Sequence, residues 1–203
     1  RQPEFVHYDH AMLTTLSETE MKSRMGELFN HAIIRDRNLF FNISASAGQI
    51  MEGDMAVAAS LILRAARIKA GVVRRDPLEK GQRRILNFGH TFGHVIETHY
   101  GIPHGLAVAR GMTVAAELSA WKGEMAHTEL ILMQGALEDA GLLTAHQLPA
   151  EVVRMISRDK KSESGSVNFV LLRSVGRAVI RRISISELEQ FGSYYNEKES
   201  QSQ

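Results

Sequence analysis

The 203-residue sequence has no cysteine. Disulfides and thiolate metal ligands are therefore excluded, and His, Asp and Glu remain as the strong ligand types. A cysteine-free chain suits a reducing compartment, and we expect a cytoplasmic protein. Excess charge is also lacking. Lys plus Arg number 24 and Asp plus Glu 23, a formal net charge of +1, so neither nucleic acid nor an anionic membrane is expected as partner. Any cationic character that matters must be local. No apolar run approaches the roughly 20 residues that cross a bilayer. The opening RQPEFVHYDH has neither a signal-type hydrophobic region nor an initiator Met, and we expect a fragment or a processed chain. What is present, 44% hydrophobic and 23% charged residues, is ordinary for a globular chain of one domain or two small ones.

The most informative stretch is RRILNFGHTFGHVIE at 83–97, echoed by PHGLAVARGM at 103–112. His90 and His94 are four apart, so on a helix they share a face, roughly 5–6 Å apart at Cβ. Gly89 and Gly93 accompany them. Glycine costs a helix about 1 kcal/mol relative to alanine. Two such losses imply that something approaches the backbone closely: a metal, a substrate, or a neighbouring helix.

Around this stretch the chain reads as mainly α, a multi-helix domain with one small β-hairpin. FVHYD, at 5–9, can be a strand. Ser17 and Glu20 form an S-x-x-E capping box before Met21, Met25, Leu28, Phe29 and Ile33. Residues 36–47 read as a loop or short helix anchored by Leu39-Phe40-Phe41. Asp54 can cap a helix running to about Arg74, apolar at Val57, Leu61, Ala65 and Ile68. A central helix is expected from about Gly81 to Tyr100, and another from His104 to Trp121 closed by Gly123. Amphipathic helices at 127–140 and 149–157 follow. The period then changes: VNFVLLRSVGRAVIRRI, 167–183, predicts a hairpin turning at Gly176. Ser186–Tyr195 can be a last short helix, and 196–203 a polar, frayed tail. No Gly-rich strand–turn–helix able to hold a dinucleotide is visible.

A catalytic zinc commonly uses three N/O protein ligands and keeps one position open. His90 and His104 lie on consecutive helices joined by a turn, which can bring their imidazoles together. A third ligand must come from elsewhere, and Glu27 is a good candidate. His94 also has ligand geometry, His31 can pair with Glu27, and spacing alone does not choose among them. Lys69, Arg83, Arg84, Lys160 and Lys161 supply cations suited to carboxylate or phosphate. On one continuous helix Arg83 and Asn87 would share the face of His90. Together these residues suggest an anionic small molecule beside a divalent cation.

The pattern R-x-x-x-N-x-G-H-T-x-G-H-x-x-E followed by H-G-x-A-V-x-x-G-M resembles the 3-dehydroquinate synthases, sugar phosphate cyclases of the shikimate route. GELFNHAIIRDRNLF at 26–40, the Lys69–Arg83 segment and Asp159-Lys160-Lys161 extend the resemblance over nearly the whole chain. It implies the C-terminal domain of a two-domain enzyme. Residues 1–16 would be a boundary segment after an N-terminal NAD-binding domain, 17–195 the helical zinc- and substrate-binding domain, and 196–203 a tail. It further implies Glu27, His90 and His104 as ligands of Zn2+ or another divalent metal. Lys69 and Arg83 would hold the substrate carboxylate. Asn87, His94 and a lysine of the Lys160–Lys161 pair would hold the phosphate, with His94 and Asn87 catalytic. The implied substrate is 3-deoxy-D-arabino-heptulosonate 7-phosphate. Zinc and NAD oxidise its C5 hydroxyl, phosphate leaves by β-elimination, the hydride returns, and ring opening with aldol closure yields 3-dehydroquinate. A homodimer, inactive without the nucleotide-binding domain, is also implied.

Two residues depart from the family pattern. Asn30 stands where a lysine is usual three residues after the metal-binding Glu, removing an ammonium from the substrate's surroundings. Leu106 replaces the Glu of an H-G-E motif, removing a support for the metal shell or the neighbouring helices. Three alternatives follow. One is a related cyclase acting on an amino or other sugar phosphate. Another is a metal-dependent alcohol dehydrogenase, which Arg83, Asn87 and Asp159-Lys160-Lys161 oppose. The third is a non-catalytic, degenerate helical module.

Overall fold

A computed structural model of the chain describes residues 5, 7, 9–79, 81–143, 156 and 165–201. After a 3-10 turn at His10–Thr15, Ser17 opens the first helix, α1, Glu18–Arg35. The Ser17 hydroxyl accepts from the Glu20 amide at 3.3 Å while Glu20 Oε2 accepts from the Ser17 amide at 2.9 Å, the two halves of a capping box. Asp36 ends α1 and caps α2, Arg37–Met51, by accepting from the Leu39 amide at 2.9 Å. Asp54 does the same for α3, Met55–Arg75, through the amides of Ala56 and Val57. A 3-10 helix at Gln82–Asn87 leads into α4, His90–Tyr100, and α5, His104–Trp121. Then come α6, His127–Asp139, the antiparallel strands β1, Ser166–Ser174, and β2, Arg177–Ser184, and α7, Ile185–Gln201. Among the described residues the fold is thus mainly helical with one hairpin, as the sequence predicts.

The element on which the others pack is α5. From Gly105 to Ser119 it is buried almost all round, including Val108, Met112, Val114 and Leu118, the pattern of a helix enclosed on every side. It meets α1, α4, α6 and β1. The hairpin pairs Val167 with Ile183, Phe169 with Arg181 and Leu171 with Val179. Its turn docks on α1, where the Gly176 amide donates to the Ile33 carbonyl at 2.7 Å. Glu129 of α6 fastens the same corner, accepting from Arg37 at 2.6 Å and from the Val175 amide at 2.9 Å.

Several expectations need correction. The central helix is not continuous from 81 to 100. It breaks at Phe88-Gly89, where Gly89 takes φ 79°, so Arg83 and Asn87 do not share a helical face with His90. Residues 36–47 are part of a full 15-residue helix, because Asp36 caps it and Leu39, Phe40, Ile43, Ala47 and Ile50 bury one face. The last helix begins at Ile185 and runs to Gln201. It continues into the polar tail because Lys198 reaches the buried Glu117 carboxylate at 2.5 Å. Of the expected strand at 5–9, residues 5, 7 and 9 are described and none is in a strand. The expected helix at 149–157 and the Asp159-Lys160-Lys161 stretch lie outside the described residues, Ile156 apart.

Candidate metal centre

Glycines bring three helices into backbone contact beside the candidate ligands. A Cβ on Gly105 would stand 1.8 Å from the Ser23 carbonyl oxygen, and one on Gly26 would stand 2.4 Å from that of Gly105. The Gly105 amide also donates to Ser23 Oγ at 2.9 Å. The next residues on those helices are Glu27 and His104, which the contact therefore draws together. Farther along α5, a Cβ on Gly111 would lie 2.2 Å from the Gly89 carbonyl oxygen, and one on Gly93 would lie 3.0 Å from Val108 Cα. Of the explanations the sequence left open, Gly89 and Gly93 answer to helix packing, and that packing sets His90 and His94 beside α5.

The resulting cluster is tight. Glu27 Oε1 lies 3.7 Å from His90 Nε2 and 3.4 Å from His104 Nε2. The His90 ring centroid is 5.7 Å from that of His94 and 5.5 Å from that of His104. The far side of each of the two facing imidazoles is held. His90 Nδ1 is 3.2 Å from the Phe88 carbonyl oxygen and His104 Nδ1 is 2.8 Å from Glu97 Oε2. Both partners only accept, so neutral rings protonated at Nδ1 would satisfy them and turn their Nε2 lone pairs toward Glu27, the tautomer that an ion held between them requires. Burial is the main cause that lowers the His90 pKa, aided by His104 and His94 and opposed by Glu27 and the Phe88 carbonyl. The ring is thereby kept in the form that can bind a metal.

Among the described residues two overlapping donor sets could hold an ion, Glu27/His90/His104 and His94/Glu97/His104. The donor chemistry favours the first. Tetrahedral bonds of about 2.0–2.1 Å put neighbouring donors roughly 3.3 Å apart, close to the separations around Glu27 Oε1. In the second set Glu97 is already engaged by His104 Nδ1. Glu97 closes the quoted motif, yet its role depends on a side-chain direction that no spacing specifies.

Lys69 lines, with Arg24, Glu27 and His31, the polar edge of a cavity of about 250 Å3 whose apolar walls include Met21, Leu28 and Ile62. His31 also has a lowered pKa, through burial first, with Lys69 adding to it and Glu27 opposing it. Arg83 and Asn87 turn to the preceding loop instead. Arg83 donates to the Pro77 carbonyl at 3.0 Å and lies 3.7 Å from Glu79, to which the Asn87 amide donates at 3.1 Å. Glu79, at φ 55°, is the acidic residue they share, and sequence reasoning missed it because an irregular loop has no period to read. Leu106 packs partly buried against the core. Asn30 is 1% exposed, facing the interior rather than the cleft.

The same fold occurs within two solved synthase structures. The chain superposes with TM-score 0.81 on a 2-epi-5-epi-valiolone synthase from Streptomyces hygroscopicus subsp. jinggangensis 5008, solved with NAD+ and Zn2+ bound. The match covers 94% of this chain and 55% of that one at 22% identity. A 2-deoxy-scyllo-inosose synthase complexed with carbaglucose-6-phosphate, NAD+ and Co2+ gives 0.75, covering 92% and 55%, also at 22% identity. The chain belongs to the 3-dehydroquinate synthase C-terminal family, whose model matches residues 24–162. Curated 3-dehydroquinate synthases from Psychrobacter cryohalolentis and Bacillus pumilus are each 37% identical to it, over 88% and 94% of this chain. One from Xanthomonas oryzae is 39% identical over 88%. The chain spans about half the length of these relatives, 50–53%.

Proposed function

We propose that this chain is the metal- and substrate-binding part of a 3-dehydroquinate synthase, converting 3-deoxy-D-arabino-heptulosonate 7-phosphate to 3-dehydroquinate with loss of phosphate. The observation that carries the reading is the meeting of Glu27 Oε1 with the Nε2 atoms of His90 and His104 at 3.7 and 3.4 Å. These three residues would hold Zn2+ or another divalent ion. Bound there, the ion would acidify and orient a substrate hydroxyl for hydride transfer to NAD, held mainly by an N-terminal domain. Lys69 and Arg83 would take the substrate carboxylate. Asn87, His94 and a lysine of the Lys160–Lys161 pair would take the phosphate. Arg83 and Asn87 would exchange Glu79 for substrate oxygens, so their donors are already gathered at one point. His94, in ring contact with His90 and His104, would move a proton at the reacting end. The domain division at residues 16 and 195, a homodimer and cytoplasmic residence belong to the same reading.

A second reading, a related cyclase acting on an amino or other sugar phosphate, is favoured by Asn30. It offers the cleft no charge where the resemblance places a lysine. Phosphate release with NAD by the full-length protein, offered each sugar phosphate in turn, separates the two. Zinc titration tests both against a non-catalytic module. About one equivalent should bind and be lost in His90→Ala, and a chain that binds no zinc at neutral pH would end the enzymatic reading.

A further inference from the structure

Asn30 holds a carbonyl that the metal centre also uses. Its Nδ2 donates to the Phe88 carbonyl oxygen at 2.7 Å, across 58 residues of chain. Phe88 has φ −57° and ψ 128°, and Gly89 has φ 79° and ψ −23°, the central angles of a type II turn. Types I and II differ chiefly in which way the central peptide points, and here that peptide carries the Phe88 oxygen. The same oxygen lies 3.2 Å from His90 Nδ1. One lone pair thus serves an amide from α1 and the other an imidazole from α4.

We propose that Asn30 is a positioning residue for His90: it fixes the 88–89 peptide in its type II orientation, keeps an acceptor beneath Nδ1, and so aims Nε2 at Glu27. The inference rests on the metal-binding reading above. Stability does not explain the residue. Asn30 Oδ1 is buried without a hydrogen-bond partner, which costs free energy, and the Phe88 oxygen would keep His90 as a partner without Asn30. An apolar side chain would satisfy the packing, and it would release the peptide. Gly89 cannot hold the turn alone, because glycine enters many conformations. A Cβ there would meet Met112 Cγ at 2.5 Å, so the position stays glycine and the restraint must come from elsewhere.

The test compares Asn30→Leu with Ser119→Ala in the full 203-residue chain. The control removes another buried hydrogen-bonding group, the hydroxyl that accepts from the Leu172 amide at 3.0 Å and donates to the Ala115 carbonyl at 2.6 Å. Zinc affinity is read by competition with a chromophoric chelator, and imidazole tautomers by long-range 1H–15N NMR of the metal-free chain at neutral pH. Asn30→Leu is expected to weaken zinc binding about 10- to 100-fold, the range for groups that orient a ligand, and to give His90 a mixture of tautomers. Ser119→Ala is expected to lower Tm alone. Wild-type zinc affinity in folded Asn30→Leu would overturn the proposal. If that variant does not fold, the wild-type spectrum decides: His90 protonated at Nδ1 with slowly exchanging Asn30 amide protons supports it, and an Nε2-protonated ring overturns it. Should the wild-type chain bind no zinc, the metal reading falls, while the same spectrum still judges the link between Asn30 and His90.

Discussion

At the scale of single residues, each donor around the candidate centre has a distinct load. Glu27 faces both Nε2 atoms, whereas Glu97 touches only the far nitrogen of His104. On the proposed function, a group in the first position would be a ligand. One in the second makes the ligand more basic and holds its ring, an effect of about 10- to 100-fold on metal affinity. Glu27→Gln should therefore abolish tight zinc binding. Glu97→Gln, whose amide oxygen can still accept from Nδ1, should cost about tenfold. Competition titration with a chelator measures both. The opposite order, Glu97→Gln the more damaging, would put the ion among His94, Glu97 and His104 instead. The imidazoles at this centre were legible because His90 and His104 open consecutive helices joined by a short turn. The division of labour between the two glutamates was not, since it depends on rotamers.

At the scale of elements, the histidines converge because glycines let the helices that carry them touch. Gly105→Ala would push a methyl group into the Ser23 backbone oxygen at 1.8 Å, and no rotamer relieves a clash with backbone. Overpacking of this kind costs about 1–3 kcal/mol, and here it would also separate α1 from α5 and so Glu27 from His104. Gly71, in α3 with nothing within 4 Å of a built Cβ, is the control. Its change to Ala should stabilise by about 0.4–1 kcal/mol. Urea unfolding of the two variants tests this, and equal effects would refute it. Why the helices start where they do was partly legible. Ser17 and Asp54 cap their own helices, so their signals lie within a few residues. The break at Phe88-Gly89 was not legible, because the Asn30 amide that holds it comes from 58 residues away. A second capping box went unread although its spacing repeats that of Ser17 and Glu20. At the hairpin–α7 junction the Ser184 amide donates to Glu187 Oε2 at 2.9 Å, and the Glu187 amide donates to Ser184 Oγ at 3.2 Å. Lys122 at the end of α5 also pairs with Glu187. Lys122 first and then the Ser184 amide and hydroxyl draw the Glu187 pKa from 4.5 down to about 2. Because the folded value is the lower one, this carboxylate stabilises the fold above pH 4.5 and loses that contribution as pH falls toward about 2. The group is partly exposed, so the effect is modest. Glu187→Gln should lower Tm by a constant amount at higher pH, and the gap from wild type should close across that window. A gap independent of pH would show that the cap acts by shape alone.

At the scale of the whole molecule, the arrangement is a cluster of candidate metal ligands with one open side. Side-chain exposure is 44% at His104, 32% at Glu27 and 17% at His90. The cluster is thus carried on the packed surfaces of α1, α4 and α5 and is not sealed within them. A hydride-transfer centre excludes water, because a dry site strengthens the charge interactions on which the reaction runs and protects its intermediates. Among the described residues nothing covers this side. Metal binding and turnover should therefore separate. On the proposed function, metal binding would need only Glu27, His90 and His104, all within this chain. On the same reading, turnover would also need a nicotinamide cofactor and a cover over this open side. The 203-residue chain alone should bind about one equivalent of zinc by calorimetry yet release no phosphate from 3-deoxy-D-arabino-heptulosonate 7-phosphate with NAD present. The full-length protein should do both. Phosphate release by the chain alone, lost in His90→Ala, would mean that these helices already hold the cofactor and close over the substrate, and the division of labour argued here would be wrong.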